Sequence, residues 1–100
     1  AYKVTLNGKR HRDDGPAVVD LDGTRGWYQN GEPHRDDGPA IIWASGSKFW
    51  YQNGKWHRED GPAIITADGR KEWYWKNRLV GKSESGFTQE DFEEWKEKRL

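Results

Sequence analysis

The sequence predicts a mainly β fold: an elongated antiparallel β-hairpin repeat array, a single sheet with a 23-residue period, closed by a C-terminal capping α-helix. Three observations predict it. The first is the period. Asn7-Gly8, Asn30-Gly31 and Asn53-Gly54 stand 23 residues apart, and so do His11, His34 and His57. The Asp-Gly-Pro-Ala runs from Asp14, Asp37 and Asp60 keep the same interval, as do Trp27, Trp50 and Trp73, with Val4 in the matching first position. A strict short period marks stacked units, none of which can bury an apolar face alone. The second observation is turn chemistry. Asn-Gly is the strongest two-residue hairpin signal, because both central residues of a type I′ turn need positive φ. A second set, Asp22-Gly23, Ser45-Gly46 and Asp68-Gly69, alternates with it. The third is composition. With 32% apolar and 34% charged residues a deep core is not expected, while 14% aromatic, including seven Trp, is too rich for a disordered chain.

The elements follow in order. Strands are expected near 2–6, 9–12, 17–21, 24–29, 32–35, 40–44, 47–52, 55–58, 63–67 and 70–75, being short and rich in β-branched and aromatic residues. The Asp-Gly-Pro segments are connections, with Pro at the start of the following strand. A two-residue turn at Ser45-Gly46 would pair Ile42 with Phe49, Ile41 with Trp50 and Trp43 with Lys48, the last a candidate cation–π pair. The same rule would set Asp20 opposite Arg25. Alternation then puts Val18, Ile41 and Ile64 beside the tryptophans, on the more buried face. Val19, Ile42 and Ile65 fall beside Tyr28, Tyr51 and Tyr74. The Asn-Gly hairpins set Trp27 opposite His34 and Trp50 opposite His57.

The organisation is repeats over 1–80, as three units and a decayed fourth, a polar linker over 81–86, and a helix over 87–100. In the fourth unit Lys76-Asn77 stands for Asn-Gly, and Val80 for His. Thr88 is the expected N-cap, with Asp91 completing an approximate capping box and Phe87 and Phe92 at the staple positions. Glu90, Asp91, Glu93 and Glu94 lie early and Lys96, Lys98 and Arg99 late, which suits the helix dipole. Phe92, Trp95 and Leu100 make too narrow an apolar stripe for a core of their own. The helix is expected over the open end of the array. The alternative is a docking helix for a partner.

Charge and chemistry restrict function. The 17 basic and 17 acidic residues balance, which removes the general drive toward nucleic acid or anionic lipid. No cysteine is present, and no apolar run approaches membrane-spanning length, so a soluble cytoplasmic protein without a membrane role is expected. The three histidines are the obvious metal candidates. Successive units advance the sheet by roughly 9–10 Å, too far for one ion to hold all three. No metal or other cofactor is expected. A His-Arg-Asp set, as in His57-Arg58-Glu59-Asp60, recurs three times in equivalent settings, which suits an Arg-to-Asp ladder across neighbouring connections better than a single active site. No nucleophile or phosphate-binding loop accompanies it.

The Asn53-Gly54-Lys55-Trp56-His57 and Ala67-Asp68-Gly69 motifs, in hairpin units of 23 residues, resemble MORN (membrane occupation and recognition nexus) repeats over roughly residues 2–78. The segment after each histidine departs from the standard repeat: Arg-x-Asp-Gly-Pro-Ala from Arg12, Arg35 and Arg58. It is similar to a divergent HREDGPA-type variant found in small bacterial and phage proteins. The resemblance implies a noncatalytic protein–protein interaction module, in one version an inhibitor or decoy acting on a host protein. From the residues themselves, the partner-binding candidates are Tyr28, Tyr51, Tyr74, Phe49 and Trp56, aromatic ribs that give large contact area. The open sheet edges leave a homodimer open. The alternative is a nucleic-acid-binding domain or small enzyme using one His-Arg-Asp set.

Overall fold

The structure, a computed structural model, describes residues 1–99. Unit 1 holds β1 (Tyr2–Lys3), β2 (Thr5–Leu6), β3 (Lys9–Arg10) and β4 (Val18–Val19). Unit 2 repeats them as β5 (Arg25–Gly26), β6 (Tyr28–Gln29), β7 (Glu32–Pro33) and β8 (Ile41–Ile42). Unit 3 follows with β9 (Lys48–Phe49), β10 (Tyr51–Gln52), β11 (Lys55–Trp56) and β12 (Ile64–Ile65). Unit 4 is one longer hairpin, β13 (Lys71–Trp75) and β14 (Arg78–Lys82), followed by a 3-10 turn at Ser83–Ser85 and α1 (Gln89–Glu97). Eight strands form one antiparallel sheet in the order β1-β4-β5-β8-β9-β12-β13-β14, as the repeat predicts. Beside it stand three two-stranded ribbons, β2–β3, β6–β7 and β10–β11, which the expectation of a single sheet did not separate.

The expected continuous strands 24–29 and 47–52 break at Trp27 and Trp50, and strand 2–6 breaks at Val4. At each break the backbone changes partner. The Trp50 N–H donates to the Ala63 carbonyl at 2.7 Å, whereas its own carbonyl accepts from His57 N–H at 3.2 Å. Trp27 does the same with Ala40 and His34, at 2.7 and 3.0 Å. The His–Trp pairing across each ribbon is therefore as expected. Ala17, Ala40 and Ala63 are fully buried. Their N–H groups bond Gly26, Phe49 and Glu72 carbonyls at 2.8, 2.8 and 2.9 Å, so each alanine joins its unit to the next.

The Asn-Gly turns take the expected positive φ, near 52° at Asn30 and 84° at Gly31. Lys76 and Asn77 keep the same geometry without glycine, at φ 46° and 71°. The second set of turns corrects the expectation. Trp43 N–H bonds the Ser47 carbonyl and Gly46 N–H bonds the Trp43 carbonyl, both at 2.9 Å, and within this loop only Gly46 has positive φ. This is a three-residue loop, a type I turn closed by a left-handed glycine. Ile41 therefore pairs with Phe49 and Ile42 with Lys48. A one-residue slip moves a whole strand's side chains to the other face. Val18, Ile41 and Ile64 lie with Phe49 and the tyrosines, and Val19, Ile42 and Ile65 with the tryptophans. Arg25 pairs with Val19 rather than Asp20, and Trp43 meets Phe49 edge-on at 5.6 Å instead of facing Lys48.

The slab measures 41 × 31 × 18 Å, so its core is one side chain deep. Its downstream end is the best filled. Gly81 and Lys82 extend β14 and Ser83–Ser85 form the 3-10 turn, so the expected linker is structured. The helix runs Gln89–Glu97, shorter than 87–100, and Leu100 lies outside the described residues. The capping box forms: Asp91 N–H donates to Thr88 Oγ1 at 3.2 Å and Thr88 N–H to the Asp91 carboxylate at 2.9 Å. The two staple phenyls take separate tryptophans. Phe87 meets Trp73 at 5.2 Å, and Phe92 approaches Trp75 at 6.4 Å while stacking on Trp95. Lys96 Nζ and Gln89 Nε2 bond the Glu59 and Asp60 carbonyls at 2.6 and 3.3 Å, which ties the helix to unit 3.

Phe92 is fully buried. Truncation to Ala should cost about 3–5 kcal/mol in urea unfolding. Gly81→Ala should also lower Tm, because its new methyl collides with the Phe87 ring.

Candidate functional site

The two faces of the sheet differ in what covers them. On the tryptophan face, each His-Arg-x-Asp-Gly-Pro-Ala connection folds back over its own unit. Arg35 and Arg58 place their guanidiniums 3.9 and 4.0 Å from the ring centres of Trp27 and Trp50. Nε of each donates to the carboxylate two residues on, Asp37 and Asp60, at 3.0 and 2.9 Å, and a second nitrogen to the Pro39 or Pro62 carbonyl at 3.1 Å. The Arg–Asp contact thus lies within one connection, not across neighbours as the ladder expectation had it. The tight Asp-Gly-Pro loop brings position i+2 back to the guanidinium. A Cβ on Gly38 or Gly61 would sit 2.9 or 2.8 Å from that guanidinium carbon, which is why glycine holds the position. In unit 1, where Val4 replaces Trp, Arg12 turns to Tyr2 instead and donates to its hydroxyl at 3.0 Å. Its bond to Asp14 holds that carboxyl below the usual carboxylate range.

The histidines join units. His11, His34 and His57 Nδ1 accept the backbone N–H of Asn30, Asn53 and Lys76 at 3.1, 2.9 and 3.1 Å. A ring that accepts at Nδ1 carries its proton on Nε2. That proton points at Asp13 and Asp36, 3.1 and 3.0 Å away, and toward Glu59 at 3.6 Å. His11 and His34 thus commit both ring nitrogens to the array, and His57 its Nδ1. Gln29 and Gln52 add bonds back to the Arg12 and Arg35 carbonyls at 3.1 and 2.8 Å. Between successive connections run polar grooves of about 820 and 680 Å³, bordered by Trp27 and Trp50. Among the described residues no group of three or more His, Asp or Glu side chains is placed to hold a metal ion.

On the tyrosine face no connection arginine stacks over the aromatic rings of units 2 and 3, although Val18 and Ile64 there are buried, each 7% exposed. Phe49, Tyr51, Trp56 and Tyr74 form one aromatic run, with centroid separations of 6.5 Å (Phe49–Tyr51), 6.4 Å (Phe49–Trp56), 6.0 Å (Tyr51–Trp56) and 5.1 Å (Trp56–Tyr74). Tyr28, the fifth sequence candidate, lies upstream, its ring leaning over Gly26 with the Arg10 guanidinium 5.4 Å from its centre. Ile41, Ile64 and Trp43 belong to this face as well. Sequence reasoning missed them through the loop-length error, and the register Ile41↔Phe49↔Ile64 restores them. All five candidates are half-buried, and Trp43 is 41% exposed. Burial pushes the Tyr51 phenol above its ordinary value, partly offset by the nearby Trp56 indole. That indole N–H is covered by protein and makes no hydrogen bond of normal geometry. Burial also raises Tyr74, whose hydroxyl donates to Glu72 at 3.1 Å.

No protein-family model, curated protein or solved structure matches this chain. No helix among the described residues is long and apolar enough to cross a membrane.

His57 is buried, and burial lowers its pKa from the ordinary 6.5, with Glu59 pulling the other way and Lys76 and Arg99 adding to the decrease. The unfolded chain therefore takes up the proton first as pH falls. The stability from the neutral ring is complete above the ordinary value and declines as pH drops toward the folded one. Tm should fall between about pH 7.5 and pH 5.5. His57→Asn, whose amide oxygen can accept at the Nδ1 position without titrating, should flatten that slope.

Proposed function

We propose that the chain is a noncatalytic protein-interaction module, built on a MORN-like scaffold, that binds its partner with the tyrosine face. One observation carries the reading: the aromatic run of Phe49, Tyr51, Trp56 and Tyr74 lies on the face that neither the arginines nor α1 covers. A sheet buries its apolar face under a second layer. Here the connections supply that layer on the tryptophan face, and on the tyrosine face the aromatic run itself stays partly exposed. Contiguous uncovered apolar surface rimmed by polar residues marks interaction sites. The resemblance suggests a cytoplasmic inhibitor or decoy of phage type acting on a host protein.

The His-Arg-Asp sets support this reading by their occupation. Both nitrogens of His11 and His34 and the Nδ1 of His57 are engaged and each Arg is held on its own loop, so the sets serve the scaffold in units 1 to 3. Their carboxylates border the connections, which disfavours nucleic acid there.

The test is affinity capture from the native host with wild-type protein and with Tyr51→Ala. Tyr51→Ala should lose the captured protein while circular dichroism shows an intact fold at the assay temperature. His34→Asn should lower Tm yet keep the capture. Equal capture by Tyr51→Ala and wild type would defeat the reading.

A further inference from the structure

We propose that Asn7 is a site of spontaneous covalent modification, converting through a succinimide to isoaspartate and aspartate while Asn30 and Asn53, in the same kind of turn, persist. Asparagine followed by glycine is the dipeptide most open to this chemistry, because glycine puts no side chain in the way of ring closure. The chain carries it at Asn7-Gly8, Asn30-Gly31 and Asn53-Gly54. Lysine follows both the first pair and the third, so local sequence does not separate those two. Backbone shape does not separate any of them. Asn φ is 53°, 52° and 51° in the three turns, and Gly φ is 79°, 84° and 78°.

What separates them is the junction with the preceding unit. Gly31 N–H donates to the Arg10 carbonyl at 2.8 Å and Gly54 N–H to the Pro33 carbonyl at 2.9 Å. The Asn30 and Asn53 amides are held by the imidazoles of His11 and His34. β1 is an edge strand of the sheet, and among the described residues the Asn7 and Gly8 amides meet no acceptor. Packing agrees. Lys9 lies against Gly31 and Glu32 against Gly54, whereas nothing comes within 4 Å of the Cβ position at Gly8. Every residue of the β2–β3 ribbon is exposed, but in β10–β11 only Lys55 is.

The attacking atom is the Gly8 backbone nitrogen. It gives its proton to hydroxide and bonds to Asn7 Cγ, and the side-chain nitrogen leaves as ammonia. One water then opens the five-membered ring. Opening at the backbone carbonyl leaves isoaspartate, and opening at the side-chain carbonyl leaves aspartate. No oxidant and no enzyme enters. A glycine amide donating to a carbonyl is neither free to lose its proton nor able to reach Cγ, so the bonds that stack the units also protect their turns. The rate at each turn follows the population of its open form, and each hydrogen bond absent raises that population. Isoaspartate adds a methylene to the main chain, which ends the type I′ geometry of the β2–β3 hairpin. Units 2 to 4 keep their fold, since in a stacked array each unit contacts only its neighbours. Either product adds one negative charge to a chain of net charge zero.

The test is incubation of the whole chain in mildly alkaline buffer below its Tm, with peptide mapping by mass spectrometry at intervals. All three sites are then read in one molecule. Position 7 should convert about tenfold faster or more than position 53, and faster than position 30. In concentrated urea positions 7 and 53 should convert at one rate, which assigns the difference to the fold. His34→Ala removes the acceptor from the Asn53 amide. It should speed conversion at 53 and leave position 30, held by His11, as slow as before. Equal rates at 7 and 53 in the folded chain would overturn the proposal, and so would faster conversion at 30 or 53 than at 7. Should His34→Ala fail to fold, the wild-type comparison of 7 with 53 decides alone.

Discussion

Each unit's imidazole holds the next unit's turn, and the rest of the structure depends on that bond. A slab 18 Å thick cannot stabilise itself through a deep core. What keeps its units in register is a set of short polar contacts at every junction. The Nδ1 of His34 receives the Asn53 amide, the Pro33 carbonyl receives the Gly54 amide, and the Tyr51 carbonyl receives the Arg35 amide. A type I′ turn is what aims the Asn and Gly amides at the preceding unit. The histidine and the Asn-Gly pair are thus one device divided between two units. Equal spacing of both across 23 residues is its trace in the sequence. Protonation of the ring would replace an acceptor with a donor facing a donor. At His57, where the ring is buried, this acts with desolvation to favour the neutral imidazole, and its pKa lies below the ordinary value.

The period, the Asn-Gly hairpins, the antiparallel sheet and the capped helix could all be read from residues alone, because each follows from local chemistry. What could not be read was loop length. Ser45-Gly46 is compatible with a two-residue turn and with a three-residue loop ending in a left-handed glycine. The choice depends on whether Ala44 joins the loop. That single residue decided which isoleucine shared a face with the tyrosines. The shared face of Phe49 and Tyr51 was unaffected because both sit on the strand after the loop, counted from Gly46 onward, where both readings agree. Ile41 and Ile64, counted backward from it, did not. The Arg–Asp pairing was also misplaced for a physical reason. A connection containing Gly and Pro turns tightly enough for position i+2 to meet its own arginine, so no neighbour is needed.

The arginines divide the molecule into a closed face and an open one. Stacked on Trp27 and Trp50, they supply a second layer from the connections themselves, at ring distances near 4 Å. Desolvated cation–π contacts contribute about 2 kcal/mol, more than exposed ones. This explains how so charged a chain orders its tryptophans. Guanidiniums do the covering that leucines would do in a conventional core. The tyrosine face receives no connection arginine; there Arg10, from β3, lies 5.4 Å from the Tyr28 ring centre, and Val18 and Ile64 are buried among their neighbours.

The downstream end shows the same logic with different atoms. Gly81 stands where a fourth arginine would, Val80 where a fourth histidine would, and the connection is missing. With no guanidinium available, the Phe87 ring takes its place on Trp73, and the absent side chain at Gly81 is what makes the space. From there Thr88 starts a helix whose Phe92 and Trp95 reach Trp75, and whose Gln89 accepts the Trp73 indole N–H at 2.8 Å. The array ends by exchanging an ionic cover for an apolar one, on the face that was already covered. Nothing in that exchange touches Tyr51, Trp56 or Phe49. A helix that capped the array by crossing to the tyrosine face would have buried the aromatic run within the monomer. By staying on the tryptophan side, it closes the end of the stack through Trp73 and Trp75 and makes no aromatic contact with Phe49, Tyr51 or Trp56.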